Sequence, residues 1–231
     1  MERIRKALMG PRSRIAGVVY LLYFLMAILG AILTPSTAND IVAHEPLFRW
    51  GFAISTISLA LYVAVIALFY NLFRPVNRNL ALVAAFFGIV GCAVQAFGSL
   101  FQLAPLVLLG SNHYSSAFNS DQLHALAQML LELGAQAGYI SIVFFGAFDI
   151  VIGALIFRST FLPRALGVLM VLAGLGWLTF LSPPLASHLS TPIEILGFLA
   201  EAALMLWLVV LGVNVQRWNA QARPVESTVS T

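Results

Sequence analysis

Charged side chains are scarce in this sequence. They make up 9% of its 231 residues, against about 25% in an average soluble domain. A globular surface cannot be covered with so little charge, which excludes most soluble classes. Lysine occurs once, at Lys6, and the net charge of +3 is carried by scattered arginines. With no basic run to track phosphates, no nucleic-acid partner is expected. Cysteine also occurs once, as Cys92 inside an apolar run, so an intrachain disulfide and a cysteine-based metal site are both excluded. The chain has no H-x-x-x-H, H-E-x-x-H or G-x-S-x-G spacing and no glycine-rich phosphate loop. No catalytic residue is therefore assigned, and no cofactor is expected. Ser55, Ser58, Ser99 and Ser141 lie in apolar helical segments without a neighbouring histidine. Such hydroxyls usually bond to their own or an adjacent helix.

What is abundant is apolar sequence: 61% of residues, with a mean hydropathy of +0.95. It is gathered into runs of the length that crosses about 30 Å of hydrocarbon as helix. Six segments are predicted to span, over 15–33, 50–73, 80–109, 134–157, 164–181 and 193–215, ahead of a cytoplasmic tail, 216–231, expected to be disordered. The N-terminal 1–14 is a basic cytoplasmic segment with Arg3, Arg5, Lys6, Arg12 and Arg14. Arg74, Arg78, Arg158, Arg164, Arg217 and Arg223 fall in alternate connections and the tail, and only Arg49 lies on the opposite side. This bias puts both termini in the cytoplasm and the protein in the cytoplasmic membrane. Ser36-Thr37-Ala38 after the first apolar run also resembles a signal-peptide cleavage site. That run exceeds the usual h-region of about 7–15 residues, so it is read as a retained span.

Two segments are irregular. A continuous helix over 124–157 would rise about 50 Å, too long for one crossing. Asp121, His124, Gln128 and Glu132 recur there at helical spacing between leucines. Residues 120–132 are therefore read as a short amphipathic helix on the outer surface, ending in a break near Gly134. In the third segment, Pro105 is expected to end or kink the helix, and Pro192 is expected at the start of the sixth.

The third segment carries Ala84, Gly88, Gly91, Gln95, Gly98 and Gln102 at alternating spacings of three and four. This is a seam of small and polar side chains suited to close helix packing in lipid. Gly134 and Gly138 form a G-x-x-x-G of the same type. Asp149 lies about 13 Å along the fourth span from its inner end, and Glu201 is similarly deep in the sixth. Carboxyl groups in hydrocarbon are costly and mark functional sites by default. Gln95, Gln102, Asp149 and Glu201, together with Arg49 and Glu194, are accordingly the candidate ligand contacts. Arg49 is expected to pair with Glu194 at similar depth or with Glu45 one turn back. His44, His113, His124 and His188 collect in or beside the outward connections, with Asp40, Glu45, Asp121, Glu132 and Glu194. A divalent metal held there, with His124 and Glu132 as its ligands, would support hydrolysis of a lipid ester or amide.

Several stretches carry a resemblance. They are Phe48-Arg49-Trp50-Gly51, the run LFRPVNRNLAL over 72–82, the run FFGAFDIVIGALIFRSTFLPRALGVLMVLAGLGWL over 144–178, and Glu201 with Leu206-Trp207-Leu208 and Gly212-Val213-Asn214. In these the chain resembles an uncharacterised bacterial membrane-protein family, domain of unknown function 4386. The resemblance reaches from the second span to the sixth. It implies a small multi-helix membrane protein and no known activity. Arg49 and Glu201 sit in the matching stretches.

The expected fold is thus an all-α polytopic bundle of six transmembrane helices. The expected function is binding or transport of a small or amphipathic molecule through a polar pocket bordered by the third, fourth and sixth spans. The alternatives are an outward-facing metal-dependent hydrolase, and a non-catalytic scaffold or partner subunit. The bilayer is the expected partner, and oligomerisation is left open.

Overall fold

The structure, a computed structural model, describes residues 2–110 and 117–222, without the side chains of 2–12, Pro183 and Ser187. His113 lies outside the described residues. The described chain is helical throughout. Its elements are α1 (Glu2–Leu33), α2 (Ala38–Ala43), α3 (Glu45–Phe73), α4 (Arg78–Leu100), α5 (Ala104–Leu108), α6 (Ser120–Arg158), α7 (Arg164–Leu178), α8 (Pro183–Val210) and α9 (Val215–Gln221). Six helical stretches are long and apolar enough to cross a membrane: Ser13–Leu33, Glu45–Phe73, Arg78–Leu108, Ser120–Arg158, Arg164–Leu181 and His188–Val210.

Helix starts follow local chemistry. The side chains of Thr37, Asn77, Asn119 and Asn214 accept from the backbone N–H groups of Asp40, Leu80, Gln122 and Arg217. Each satisfies a donor that the first turn leaves without a partner. Asn119 and Gln122 complete the reciprocal bond of a capping box,.

The six spans form a closed ring. Each packs on the next in chain order, α1 on α3, α3 on α4, α4 on α6, α6 on α7 and α7 on α8, and α8 returns to α1. The exterior is apolar, with Leu25, Ile57, Phe86, Phe97, Leu172 and Phe198 exposed. A soluble monomer does not present apolar surface on this scale, and the protein is a multi-pass membrane protein. Inside the ring, Tyr20, Phe69, Phe73, Phe148, Ile152, Leu155, Ile156 and Leu208 fill the half nearer the termini.

Glycines set the closest approaches. A methyl group at Gly153 would lie 2.6 Å from the Gly167 oxygen, and one at Gly167 would lie 2.6 Å from the Gly153 oxygen. Gly146 and Gly174 repeat this relation one heptad away, so α6 and α7 meet backbone to backbone.

Three sequence expectations are corrected. First, there is no break at Gly134, because α6 runs unbroken over 39 residues. The amphipathic stretch forms its first turns, with Leu123 and Ala127 buried against Ala38, Ala104 and Leu108. Gly134 is there for proximity, since a methyl group on it would lie 3.0 Å from the Gly98 oxygen. Second, Pro192 is inside α8. The helix starts at Pro183-Pro184, whose missing N–H groups cost nothing in a first turn. Third, part of the tail is ordered as α9. The Trp218 indole is buried and donates to the Leu72 oxygen at 2.9 Å. The Gln221 side-chain oxygen accepts from the Thr160 N–H at 3.2 Å and the Thr160 hydroxyl at 3.1 Å. Gly212, at φ 68°, makes the turn from α8, a conformation that suits a residue without Cβ. Pro105 acts as expected: residues 101–103 tighten into a 3-10 turn before it and α5 begins around it.

Candidate functional site

Polar side chains in apolar helices turn inward, because lipid offers them no partner. Here they turn toward one cavity of about 780 Å³. It lies in the half of the ring away from the termini. Its walls come from α1 (Tyr23 to Thr34), α3 (Phe52 to Tyr62), α4 with its 3-10 extension (Gln95 to Gln102), α6 (Ile142, Phe145), α7 (Trp177) and α8 (Glu201). The predicted residues Gln95, Gln102 and Glu201 are thus brought together. The border expected from the third, fourth and sixth spans is incomplete, because α1, α3 and α7 also line the cavity.

Most lining hydroxyls are already satisfied. Thr34, Thr56, Ser58 and Ser99 each donate to a carbonyl three or four residues back, at 2.7–2.8 Å. The Gln95 side-chain oxygen accepts from Ser141 at 2.6 Å across the α4–α6 interface. Left to meet a ligand are the Glu201 carboxyl, Gln102, the amide nitrogen of Gln95 and the hydroxyls of Tyr23, Ser55 and Tyr62. Among the described residues Glu201 is the one charged residue in the lining, and no Lys, Arg or His joins it.

Asp149 does not reach the cavity. It is 1% exposed, and neither carboxyl oxygen has a hydrogen-bond partner. Its position between Gly146 and Gly153 puts it on the close-packed side of α6. Glu201 is near enough to act on it electrostatically, and Tyr20, Tyr23 and Tyr62 surround both acids. Tyr20 also reaches the Glu201 carboxyl. The tyrosines are locked to one another. Tyr23 and Tyr62 have ring centroids 4.5 Å apart, and Tyr62 meets Phe145 edge-on at 5.2 Å. Sequence reasoning missed this cluster. Its signal was available, because Tyr20, Tyr23 and Tyr62 lie deep in their spans and not at the interfaces where tyrosine is enriched.

The remaining candidates lie elsewhere. Arg49 pairs with Glu45 at 2.7 Å, not with Glu194, and both partners are largely exposed. Glu194 is exposed near the start of the last span. Exposed, flexible side chains find the nearest opposite charge on their own helix, here at i,i+4. His124 and Glu132 assemble no metal site. The His124 ring engages the Ser120 carbonyl at 2.8 Å, and Glu132 accepts from Gln128 at 3.3 Å. Among the described residues no three His, Cys, Asp or Glu side chains are grouped to hold a metal ion.

A family model described as Domain of unknown function (DUF4386) matches residues 15–212, a range that includes every residue of the cavity wall. An uncharacterized protein of Archaeoglobus fulgidus is 28% identical over 155 residues, which cover 67% of this chain and 78% of the relative. No solved structure matches the chain.

Proposed function

The chain belongs to the family described as Domain of unknown function (DUF4386), and for this member we propose a membrane-embedded binding protein that holds a small amphipathic molecule in the intramembrane cavity. One observation carries this reading: Gln95, Gln102 and Glu201, from two separate spans, converge on one cavity of about 780 Å³. That volume is in the range of small-molecule sites, which are mostly apolar with a few placed polar groups. The surrounding alanines and aromatics suit an apolar body, and Glu201 with the two glutamines suits a polar end. The basic residues favour the cytoplasmic membrane with both termini inside, so the cavity belongs to the outer half. The packed layer of Phe69, Phe148, Ile152 and Leu155 below it favours binding from one side over an open channel.

Native mass spectrometry of the protein in a mild detergent tests the reading. A bound amphiphile is expected in stoichiometric amount. It should be lost in Ala96→Trp, which fills the cavity, and kept in Glu194→Ala, which lies outside it. Wild-type protein that is bare, or a bound amphiphile retained unchanged in a folded Ala96→Trp variant, would remove the cavity from consideration.

A further inference from the structure

We infer that the cavity selects a cationic amphiphile, a molecule with an ammonium-type head and a short apolar body, with Glu201 as its counter-charge. The inference rests on the binding reading above and names the ligand class of that same cavity.

Three independent features point to positive charge. The first is the sign of the lining. Among the described residues its single charged residue is an acid, and no cationic residue stands with it in the wall. The Arg residues nearest in chain position to the cavity end of the ring do not serve it, since Arg49 is engaged by Glu45 at the surface. A carboxylate in a low-dielectric interior attracts an arriving cation far more strongly than one in water.

The second is the aromatic surround. Tyr23, Phe52, Tyr62, Phe145 and Trp177 all contribute to the wall. Ring faces attract cations through their quadrupole, and desolvated sites give the larger effect. An anion gains nothing from the same surfaces. The rings are held rather than free: Tyr62 is fixed between Tyr23 and Phe145. Gly197 leaves the space that Trp177 occupies, since a methyl group there would strike its ring.

The third is Asp149. Its carboxyl is buried with both oxygens unbonded, beside Glu201. The groups facing the two acids are Tyr20 and Tyr23 from α1, Tyr62 from α3 and each other across α6 and α8. Among the described side chains none of these is basic. Carboxyls buried without a counter-charge are held neutral, and a positive guest is what lets one of them ionise, whereas a negative guest gains nothing from the pair. The amide nitrogen of Gln95 then offers a donor to a hydroxyl or ether oxygen on the ligand body.

The test uses the full chain in a nonionic maltoside detergent, with empty micelles as the blank. Binding of hexyltrimethylammonium, hexanol and hexanesulfonate is measured by calorimetry on wild type, Glu201→Gln and Ala96→Trp. The ammonium is expected to bind about tenfold or more tightly than the alcohol, with the sulfonate weakest. Glu201→Gln should erase that preference while hexanol binding persists, and Ala96→Trp should lose all three. If the three probes bind alike, or Glu201→Gln leaves the order unchanged, cation selection is wrong and the binding cavity survives. If wild type binds none, the binding reading falls with it. Melting curves verify that each variant is folded, and Glu201→Asp, which keeps the charge, should retain the ammonium preference.

Discussion

Ser141 on α6 donates its hydroxyl to the Gln95 side-chain oxygen on α4 at 2.6 Å. The same hydroxyl lies 2.7 Å from the Gly138 carbonyl oxygen, so its one proton is shared between two acceptors, and the contact joins two spans at the edge of the cavity. Interhelical bonds of this kind are worth about 0.6 kcal/mol on average and up to about 1.7 in membrane proteins. Ser141→Ala should therefore cost about 1 kcal/mol in reversible unfolding. In Ser141→Ala with Gln95→Leu the cost should be less than the sum of the two single changes. Additive costs would show that the bond carries no coupling.

The glycine pairs make a sharper prediction. At Gly167 a methyl group meets backbone atoms of α6 at 2.6 and 2.8 Å, which no rotamer change relieves. Gly167→Ala should lower stability by about 1–3 kcal/mol, the usual cost of overpacking. Gly138 has nothing within 4 Å of an added methyl. Gly138→Ala should be neutral or stabilise by about 0.5–1 kcal/mol, since glycine is a poor helix former. Thermal melts of the two variants in one detergent would decide the matter, and a matched loss would refute the packing assignment.

Those glycines show how much of the molecule was legible in the sequence. Spans are readable because lipid admits only helices of a set length, and Gln95, Gln102 and Glu201 are readable because polar groups must turn inward. Gly134 was misread because glycine both weakens a helix and lets another come close, and only the position of α4 distinguishes these roles. Glu194 shares its helix face with Glu201 by spacing, yet it lies two turns nearer the end, where the side chain is exposed. The depth of Tyr20, Tyr23 and Tyr62 in their spans was legible, but their meeting was not, since it depends on which face of α1 meets α3.

The docked tail supplies a third test. Trp218→Phe keeps an aromatic ring, though a smaller one than the buried indole, and removes the N–H that the Leu72 carbonyl uses. A buried acceptor left unpaired costs about 1–3 kcal/mol. Trp218→Phe should therefore speed protease cleavage after residue 210 by roughly an order of magnitude. A similar acceleration is expected for Gln221→Ala, which releases Thr160. Unchanged cleavage in both would mean that α9 does not hold the tail.

Orientation is testable because the chain has a single, buried cysteine. In a Cys92→Ser background, Ser36→Cys should react with a membrane-impermeant maleimide added to intact cells, and Thr160→Cys should react only after lysis. The opposite pattern would invert the topology drawn from the arginines.

Arg49 and Glu45 form an exposed pair one turn apart. Such pairs contribute about 0–1 kcal/mol. Arg49→Ala should therefore shift the melting temperature little, and Glu194→Arg should not alter the effect of Arg49→Glu. Rescue by that double change would restore the long-range pairing.

The closed ring also has a consequence for biogenesis. Five of its six joints link spans that follow one another in the chain, so each can form as the next helix leaves the ribosome. The sixth joint, α8 against α1, has to wait until α8 has been made. Glu201 arrives with that last span, and α9 follows it to cover the underside. Until then the nascent chain is an open crescent, and the chamber has no acid in its wall. A guest of the kind proposed would be held only once that last joint has closed.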